Sequence, residues 1–243
     1  FMRFNSNQIK KIEKEISSRV DGKTLFDEFS RGRYSTDASV YQIKPLGVVL
    51  PKDTNDVLNI MDYSQRNSIP LLARGGGSSQ CGQTVGESVV LDYSRHQNKI
   101  LELNVEEKYV WVQPGVVLDH LNSYLKPYGL WFPVDVSTSS RATIGGMSAN
   151  NSCGSRSLYY GNMVHNVLAI EAILDDGSLH TFDQIKKNYL ATTNNQDRFY
   201  KIIDKFVNLR QQVSKDIDEN WPTTQRRVGG YNIDLIDPNG FNS

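Results

Sequence analysis

Three consecutive glycines, Gly75-Gly76-Gly77, follow Arg74 at the end of an apolar, strand-like run of Leu71, Leu72 and Ala73. Ordering three adjacent glycines costs more backbone entropy than ordering almost any other tripeptide. The chain must therefore gain something from their missing side chains. One such gain is a backbone that turns its N–H groups towards an anion at close range, with no Cβ in the way. Ser78, Ser79, Gly82 and Gln83 continue the small and polar character. Arg74 adds a fixed positive charge and a planar donor fork suited to phosphate oxygens. The expectation is a diphosphate cradle. The alternative for the tripeptide alone is a flexible surface turn.

The flanking residues favour the cradle. Leu46 to Leu50 reads as a short apolar strand closed by Pro51. Asp53 or Thr54 caps a helix that carries Val57, Ile60 and Met61 on one face and ends near Asn67. Ile69 to Ala73 is the next strand, which completes a β-α-β unit with parallel strands. The glycine loop then sits at the C-terminal end of a parallel strand, where open α/β sheets bind ligands. The loop lacks the Gly-Lys-Ser/Thr ending of a Walker A cradle, and Gly82-Gln83-Thr84 does not open into a helix as a dinucleotide G-x-G-x-x-G would.

Elsewhere, Ile9, Ile12, Ile16 and Val20 define an amphipathic helix over 7–20 stopped by Gly22, and Lys23 to Phe29 reads as a short second helix. Arg31 to Ser39 is polar and irregular, either a surface loop or an anion-facing loop at the edge of a site. Ser88 to Asp92, Lys99 to Leu103 and Tyr109 to Gln113 read as strands. Val117, Leu118, Leu121 and Leu125 mark a helix stopped near Gly129. His165 to Leu174 reads as a long strand, Asp175 to Ser178 as a hairpin turn, and Leu179 to Phe182 as the return strand. Phe199, Ile202, Ile203, Phe206 and Val213 mark a final long helix.

A second unusual stretch runs from Pro133 to Gly154. Small and hydroxyl-bearing residues dominate it, with Ile144, Met147 and Ala149 as apolar anchors. A packed core has no need of this composition, whereas a groove that hydrogen-bonds along a flat, polar ligand does. A long disordered linker is the alternative.

Composition narrows the function classes. The 243 residues carry 27 basic and 27 acidic side chains, so no global field points to nucleic acid or an anionic membrane. No apolar run reaches the roughly 18 residues of a transmembrane helix, and the N-terminus lacks the apolar core of a secretory signal. Cys81 and Cys153 give no metal-ligand spacing, no iron–sulfur pattern and no disulfide framework. That usage fits a reducing compartment. We expect a cytoplasmic protein, with peripheral attachment at the inner face of a membrane as the alternative.

Ala73 to Ser79 with Gly82-Gln83, and Ala142 to Gly146 with Asn151, Gly154 and Tyr160-Gly161, closely resemble the FAD-binding domain of the vanillyl-alcohol oxidase type. The branch it most resembles is the FAD-linked D-2-hydroxyacid dehydrogenases, which act on D-lactate, glycolate or D-2-hydroxyglutarate. Arg33 to Asp37 and the strand from Leu46 to Pro51 match that branch, and Gly229-Gly230-Tyr231-Asn232 is a weaker echo. The resemblance implies an α+β, two-subdomain PCMH-type FAD-binding fold, truncated before the substrate (cap) domain. It implies an N-terminal helical extension over 1–40 and an FAD-binding domain over 41–184, with subdomains about 41–113 and 114–184. Residues 185–243 would form a helix and the start of the segment leading to the substrate domain.

Carried over by position, the resemblance implies that the backbone of Arg74, Gly75, Gly76, Gly77, Ser78 and Ser79 wraps the FAD diphosphate. Gly82 and Gln83 would continue that contact near the ribityl chain or flavin. Pro133, Asp135, Thr138, Thr143, Gly145, Gly146, Ala149, Asn151 and Gly154 would run along the dinucleotide, and Ile173 would meet the adenine end through its backbone. Many relatives attach FAD covalently through a histidine in the first loop. Ser78 stands in that place here, so the resemblance implies non-covalent FAD. His96, His120, His165 and His180 lie outside both loops and are read as structural. The cysteines are read as small fillers, with a meeting across the cofactor cleft as the alternative.

In the family a hydride equivalent passes from the hydroxyl-bearing carbon of the substrate to flavin N5. A 2-hydroxyacid also needs a cation for its carboxylate and a base for its hydroxyl proton. Arg33 and Tyr34 are the candidates for the first task. The base and any metal are expected in the substrate domain, and the electron acceptor (quinone, electron-transfer flavoprotein or cytochrome) is left open. Two other readings stand beside this one: a flavin- or nucleotide-binding module without turnover, and an enzyme like UDP-N-acetylenolpyruvoylglucosamine reductase.

Overall fold

Gly47-Val48-Val49-Leu50 and Val89-Val90-Leu91 offer water no polar side chain, and the chain places both segments inside one sheet. The computed structural model describes residues 4–183, 185–186, 198–224, 226–227, 230–236 and 240–241. Two units divide it, Phe1–Asn150 and Asn151–Ser243.

In the first unit, β1 (Lys23–Leu25), β2 (Gly47–Leu50), β3 (Leu71–Arg74) and β4 (Val89–Asp92) form a sheet in the order β1-β2-β4-β3. Both β2 and β3 run parallel to β4, while β1 is antiparallel to β2. The expected parallel pair is thus split by β4, which inserts between its two members. Successive strand residues point to opposite faces, and Val48, Val49, Val89 and Val90 are all 0% exposed, so both faces of the central strands are covered. Helix α1 (Ser6–Ser17) buries Ile9, Ile12 and Ile16, and α3 (Thr54–Arg66) buries Val57, Ile60 and Tyr63. Asp53 caps α3 by accepting from the N–H groups of Asn55 and Asp56.

The expected second helix over Lys23 to Phe29 is absent. Lys23–Leu25 instead pairs with β2 in the register Thr24↔Val49, and the helix α2 (Glu28–Arg33) starts only after Asp27, whose carboxylate accepts from the N–H of Ser30. Sheet pairing outweighs the local helical preference there. Arg31, expected in a polar loop, lies on α2 and is buried, with Nε donating to the Pro45 carbonyl.

A hairpin of β5 (Ile100–Asn104) and β6 (Tyr109–Val112) follows, then α4 (Leu118–Leu125). Val116, Leu121 and Leu125 are buried together, with Ile100, Leu103, Val110, Val112, Phe132 and Ile144 packed against them. The stretch beyond Pro133 contains a helix that its composition concealed, α5 (Ile144–Ala149).

The second unit begins with two one-turn helices, α6 (Ser157–Tyr160) and α7 (Met163–Asn166). The long strand expected from His165 to Leu174 is therefore shorter, β7 (Ile170–Ile173), and it pairs antiparallel with β8 (Leu179–Phe182) through the expected turn. Asn162 starts α7 in place of a strand: its backbone N–H donates to Nδ1 of His165 at 3.0 Å. The helix Arg198–Gln212 buries Phe199 and Ile203 against Leu174, Phe182 and Ile236. His180 stacks on Phe199 with centroids 4.4 Å apart. Val228 and Gly229 lie outside the described residues.

One buried carboxylate ties the first unit together. Asp56, 4% exposed, accepts from the backbone N–H groups of Asp21 (2.8 Å), Gly22 (2.9 Å) and Lys52 (2.7 Å). Replacing Asp56 by Ala would leave three donors without an acceptor, and a buried donor left unmade costs on the order of 1–3 kcal/mol. Urea denaturation of Asp56→Ala should show a loss of about 3 kcal/mol; a midpoint equal to that of the parent would contradict this role.

Candidate functional site

The glycine loop leaves β3 where the ladder to β4 ends, at Arg74↔Asp92. Its shape is set by a second backbone. A Cβ on Gly75 would lie 2.0 Å from Oγ1 of Thr143, and one on Gly76 would lie 2.1 Å from the carbonyl oxygen of Arg141. No side chain fits in either gap, so the first loop packs at Gly75 on the Thr143 side chain and meets the turn preceding α5 backbone to backbone at Gly76. Gly77 adopts φ +62°, and a Cβ there would sit 2.5 Å from Nη2 of Arg74. The loop curls around the arginine that precedes it.

That arginine does not present its fork to solvent. Nη1 of Arg74 donates to the carbonyls of Tyr34 (3.3 Å) and Thr84 (3.0 Å), and Nη2 donates to the carbonyl of Thr36 (2.8 Å). The guanidinium also lies over the Tyr34 ring, 5.2 Å from its centroid. Sequence reasoning assigned the Arg74 side chain to phosphate oxygens; in the structure its donors are held by three carbonyls. Tyr34 in turn donates its hydroxyl to Asp92 at 2.6 Å. Burial, then that hydrogen bond and the charge of Asp92, push the Tyr34 phenol well above the usual tyrosine range. Arg33 is exposed and lies over the Phe29 ring, 5.9 Å from its centroid.

The loop backbone differs from its arginine. Among the described residues, none accepts a hydrogen bond from the backbone N–H groups of Gly75, Gly76, Gly77 or Ser78. Four successive unpaired donors on a half-buried loop match the oxygens of a diphosphate. Further along, the Ser79 hydroxyl donates to Oε1 of Gln83 at 2.8 Å, and Gly82 (φ +72°) lies against the Tyr41 ring.

The second loop is stitched to the segment after β6. Ile144 and Gly145 donate to the carbonyls of Val116 (2.8 Å) and Pro114 (2.9 Å), and Leu118 donates to Ala142 (3.0 Å). Thr143 caps α5, its hydroxyl 3.4 Å from the N–H of Gly146. The Thr138 carbonyl accepts from Arg141 and Ala142, both at 2.8 Å. Pro133 and Asp135 are half-buried upstream of this turn, and Ala149 is exposed at the far end of α5. The sequence signal that could have revealed α5 is a threonine cap followed by Ile144 and Met147 one turn apart.

In the second unit, Asn151 has φ +44° and is held by its side chain, which accepts from the N–H of Val164 (3.1 Å) and donates to Oδ1 of Asn232 (3.3 Å). Gly154 donates to Oγ of Ser157 and accepts from Arg226. Ile173 faces Leu179 across the hairpin, one place before the Leu174 N–H that donates to Ser178. Alternation in an antiparallel ladder therefore turns the Ile173 N–H and C=O to the open edge. Cys81 and Cys153 are free thiols. Among the described residues no group of acidic, histidine or cysteine side chains has the geometry of a metal site, and no helix is long and apolar enough to cross a membrane.

An α+β unit with two glycine-bearing loops, one ending a parallel strand and the other opening a short helix, defines a nucleotide-cofactor carrier. Residues 45–183 match the family described as FAD binding domain, and the chain belongs to that family. It is similar to D-2-hydroxyglutarate dehydrogenase of Haemophilus influenzae, with 34% identity over 94% of this chain and 24% of that protein. It is also similar to glycolate oxidase subunit GlcD of Bacillus subtilis, with 34% identity over 70% of this chain and 37% of that one. The chain thus spans about a quarter to just over a third of the length of these relatives. The solved structure of an alkyldihydroxyacetonephosphate synthase shares the fold, with a TM-score of 0.62 at 20% identity over 71% of this chain and 34% of that one. The α+β, PCMH-type fold expected from the sequence is the one observed.

Because a methyl group at Gly76 would meet the Arg141 carbonyl, Gly76→Ala should push the loop and the turn apart. Overpacking of this kind costs about 1–3 kcal/mol. Thermal denaturation of Gly76→Ala should show a lowered midpoint, whereas Gly129→Ala, in open space at φ +69°, would carry backbone strain alone. An unchanged midpoint for Gly76→Ala would show that the two backbones can separate freely.

Proposed function

We propose that this chain holds FAD non-covalently, as the cofactor-binding part of an oxidoreductase that converts a D-2-hydroxyacid of the lactate, glycolate or 2-hydroxyglutarate type into the 2-oxoacid. The observation that carries the reading is the run of four unpaired backbone donors, Gly75 to Ser78, on a loop that three glycines fit against Arg141, Thr143 and Arg74. A Cβ at Gly75 or Gly76 would close that cradle, so the residues present suit a diphosphate. When bound, FAD would supply a two-electron acceptor at flavin N5 for the hydride leaving the hydroxyl-bearing carbon.

The chain's own contributions are binding and orientation. Backbone N–H groups receive charge without carrying any, so they hold a diphosphate at any pH at which the fold persists. Non-covalent attachment is supported by Ser78, since residues 75–83 contain no imidazole to form a link to the flavin. The substrate class is supported by the relatives, which are named for D-2-hydroxyglutarate and glycolate.

Two measurements test the reading. Acid precipitation of the purified, yellow protein should leave all flavin in the supernatant as FAD; flavin in the pellet would contradict non-covalent attachment, and a protein that takes up no added FAD would defeat the proposal. Dye-coupled oxidation by the full-length protein should proceed with D-2-hydroxyacids and not with their L-enantiomers. Turnover confined to substrates without a 2-hydroxyacid group would assign it to another branch.

A further inference from the structure

The family match begins at residue 45, yet the glycine loop is held from before that point. Arg74 reaches the carbonyls of Tyr34 and Thr36, and its guanidinium packs on the Tyr34 ring. The Thr84 hydroxyl, at the far end of the loop, donates to Oδ2 of Asp37 at 3.0 Å. The Thr84 carbonyl is itself an Arg74 acceptor, and Gly82 sits on the Tyr41 ring. The segment is anchored in turn: Tyr34 through its hydroxyl to the buried Asp92, and Ser35 by its carbonyl to the Ile43 N–H (2.9 Å). Asp37 is poised as an acceptor. Although burial alone would raise its pKa, hydrogen bonds from Ser39 and Thr84 hold it below the usual carboxylate range.

We propose that Tyr34–Tyr41 is a strap belonging to the cofactor site, which keeps the glycine loop in its receptive shape through Arg74, Thr84 and Gly82. The inference rests on the flavin reading above and deepens it. Arg74 is a positioning residue in this account: its planar fork fits three carbonyls at once, and the loop folds over it at Gly77. Four adjacent N–H groups can converge on one anion only if the loop is ordered before the anion arrives, because ordering it afterwards would subtract from affinity. The strap supplies that order from outside the matched domain. It acts beside the packing of Gly75 and Gly76 on Thr143 and Arg141; within the loop, the Ser79 hydroxyl donates to Gln83 and accepts from the Cys81 N–H.

The test uses the 243-residue chain with FAD as the probe and compares Thr84→Val, which removes the hydroxyl while keeping the shape, with Thr84→Ser, which keeps it. Tyr34→Phe removes the bond to Asp92 and leaves the ring under Arg74. One lost hydrogen bond corresponds to roughly a five- to tenfold change. Fluorescence titration should therefore show FAD Kd raised about five- to tenfold in Thr84→Val and Tyr34→Phe and restored to within about twofold in Thr84→Ser. Without FAD, trypsin should cleave the Arg74–Gly75 bond faster in the first two variants than in the parent or Thr84→Ser, since the protease needs the guanidinium that the strap holds. Should Thr84→Val fail to fold, Asp37→Ala removes the same bond from the strap side. A parent chain that binds FAD while Thr84→Val and Tyr34→Phe bind it equally well would overturn the strap and leave the flavin reading intact. A parent that takes up no FAD would defeat the flavin reading, and the trypsin comparison would then decide the strap, unchanged cleavage counting against it.

Discussion

Two chain segments can approach this closely only where no Cβ stands between them, and the proposed cofactor site is built on two such contacts, one with a side chain and one between backbones. Gly75 lies against Thr143 and Gly76 against the Arg141 carbonyl, at separations that alanine would violate. The contact joins the end of a parallel strand to the turn that opens α5, and so joins the two halves of the first unit. The entropy cost of ordering three glycines is offset because their absent side chains allow this approach and leave the loop N–H groups open to an anion. A flexible surface turn would have no reason to carry such a constraint.

The electrostatic arrangement follows from the same geometry. Asp92 ends the central strand β4 and is 7% exposed, yet it accepts from the Tyr34 hydroxyl and from both the N–H and hydroxyl of Ser94. Its charge reaches Arg74, whose guanidinium stands on the Tyr34 ring and fills the inside of the glycine loop. A buried carboxylate that accepts three hydrogen bonds and faces a nearby cation is compatible with a low-dielectric interior. The positive charge next to the proposed diphosphate is thereby fixed in place, acting through space without a direct bond.

Much of this was legible in the sequence, and the failures share a cause. The β-α-β unit, the hairpin turned at Asp175 to Ser178 and the two loops announce themselves through continuous apolar strands, periodic helices and glycine placement. The departures lie where tertiary partners decide. Lys23–Leu25 is a strand because β2 offers it an edge, and α2 begins only where Asp27 can cap it. His165 lies in a helical turn because its ring accepts the Asn162 N–H. Arg74 looks like a phosphate ligand because a sequence shows the charge and not the three carbonyls that converge on it. Those carbonyls belong to residues 34, 36 and 84, and nothing in their side chains marks them as acceptors. Tyr34, by its residue type a candidate substrate contact, instead donates its hydroxyl to Asp92.

The central claim is that the glycine-loop backbone receives the FAD diphosphate. Glycine-selective 15N labelling reduces the amide spectrum to the 18 glycines, among which single substitutions assign Gly75, Gly76 and Gly77, and these three can be followed by NMR as FAD is added. The account predicts large downfield shifts of these three amides on saturation, reproduced by ADP, which carries the diphosphate without the flavin. Binding of FAD that leaves the three signals in place would contradict it.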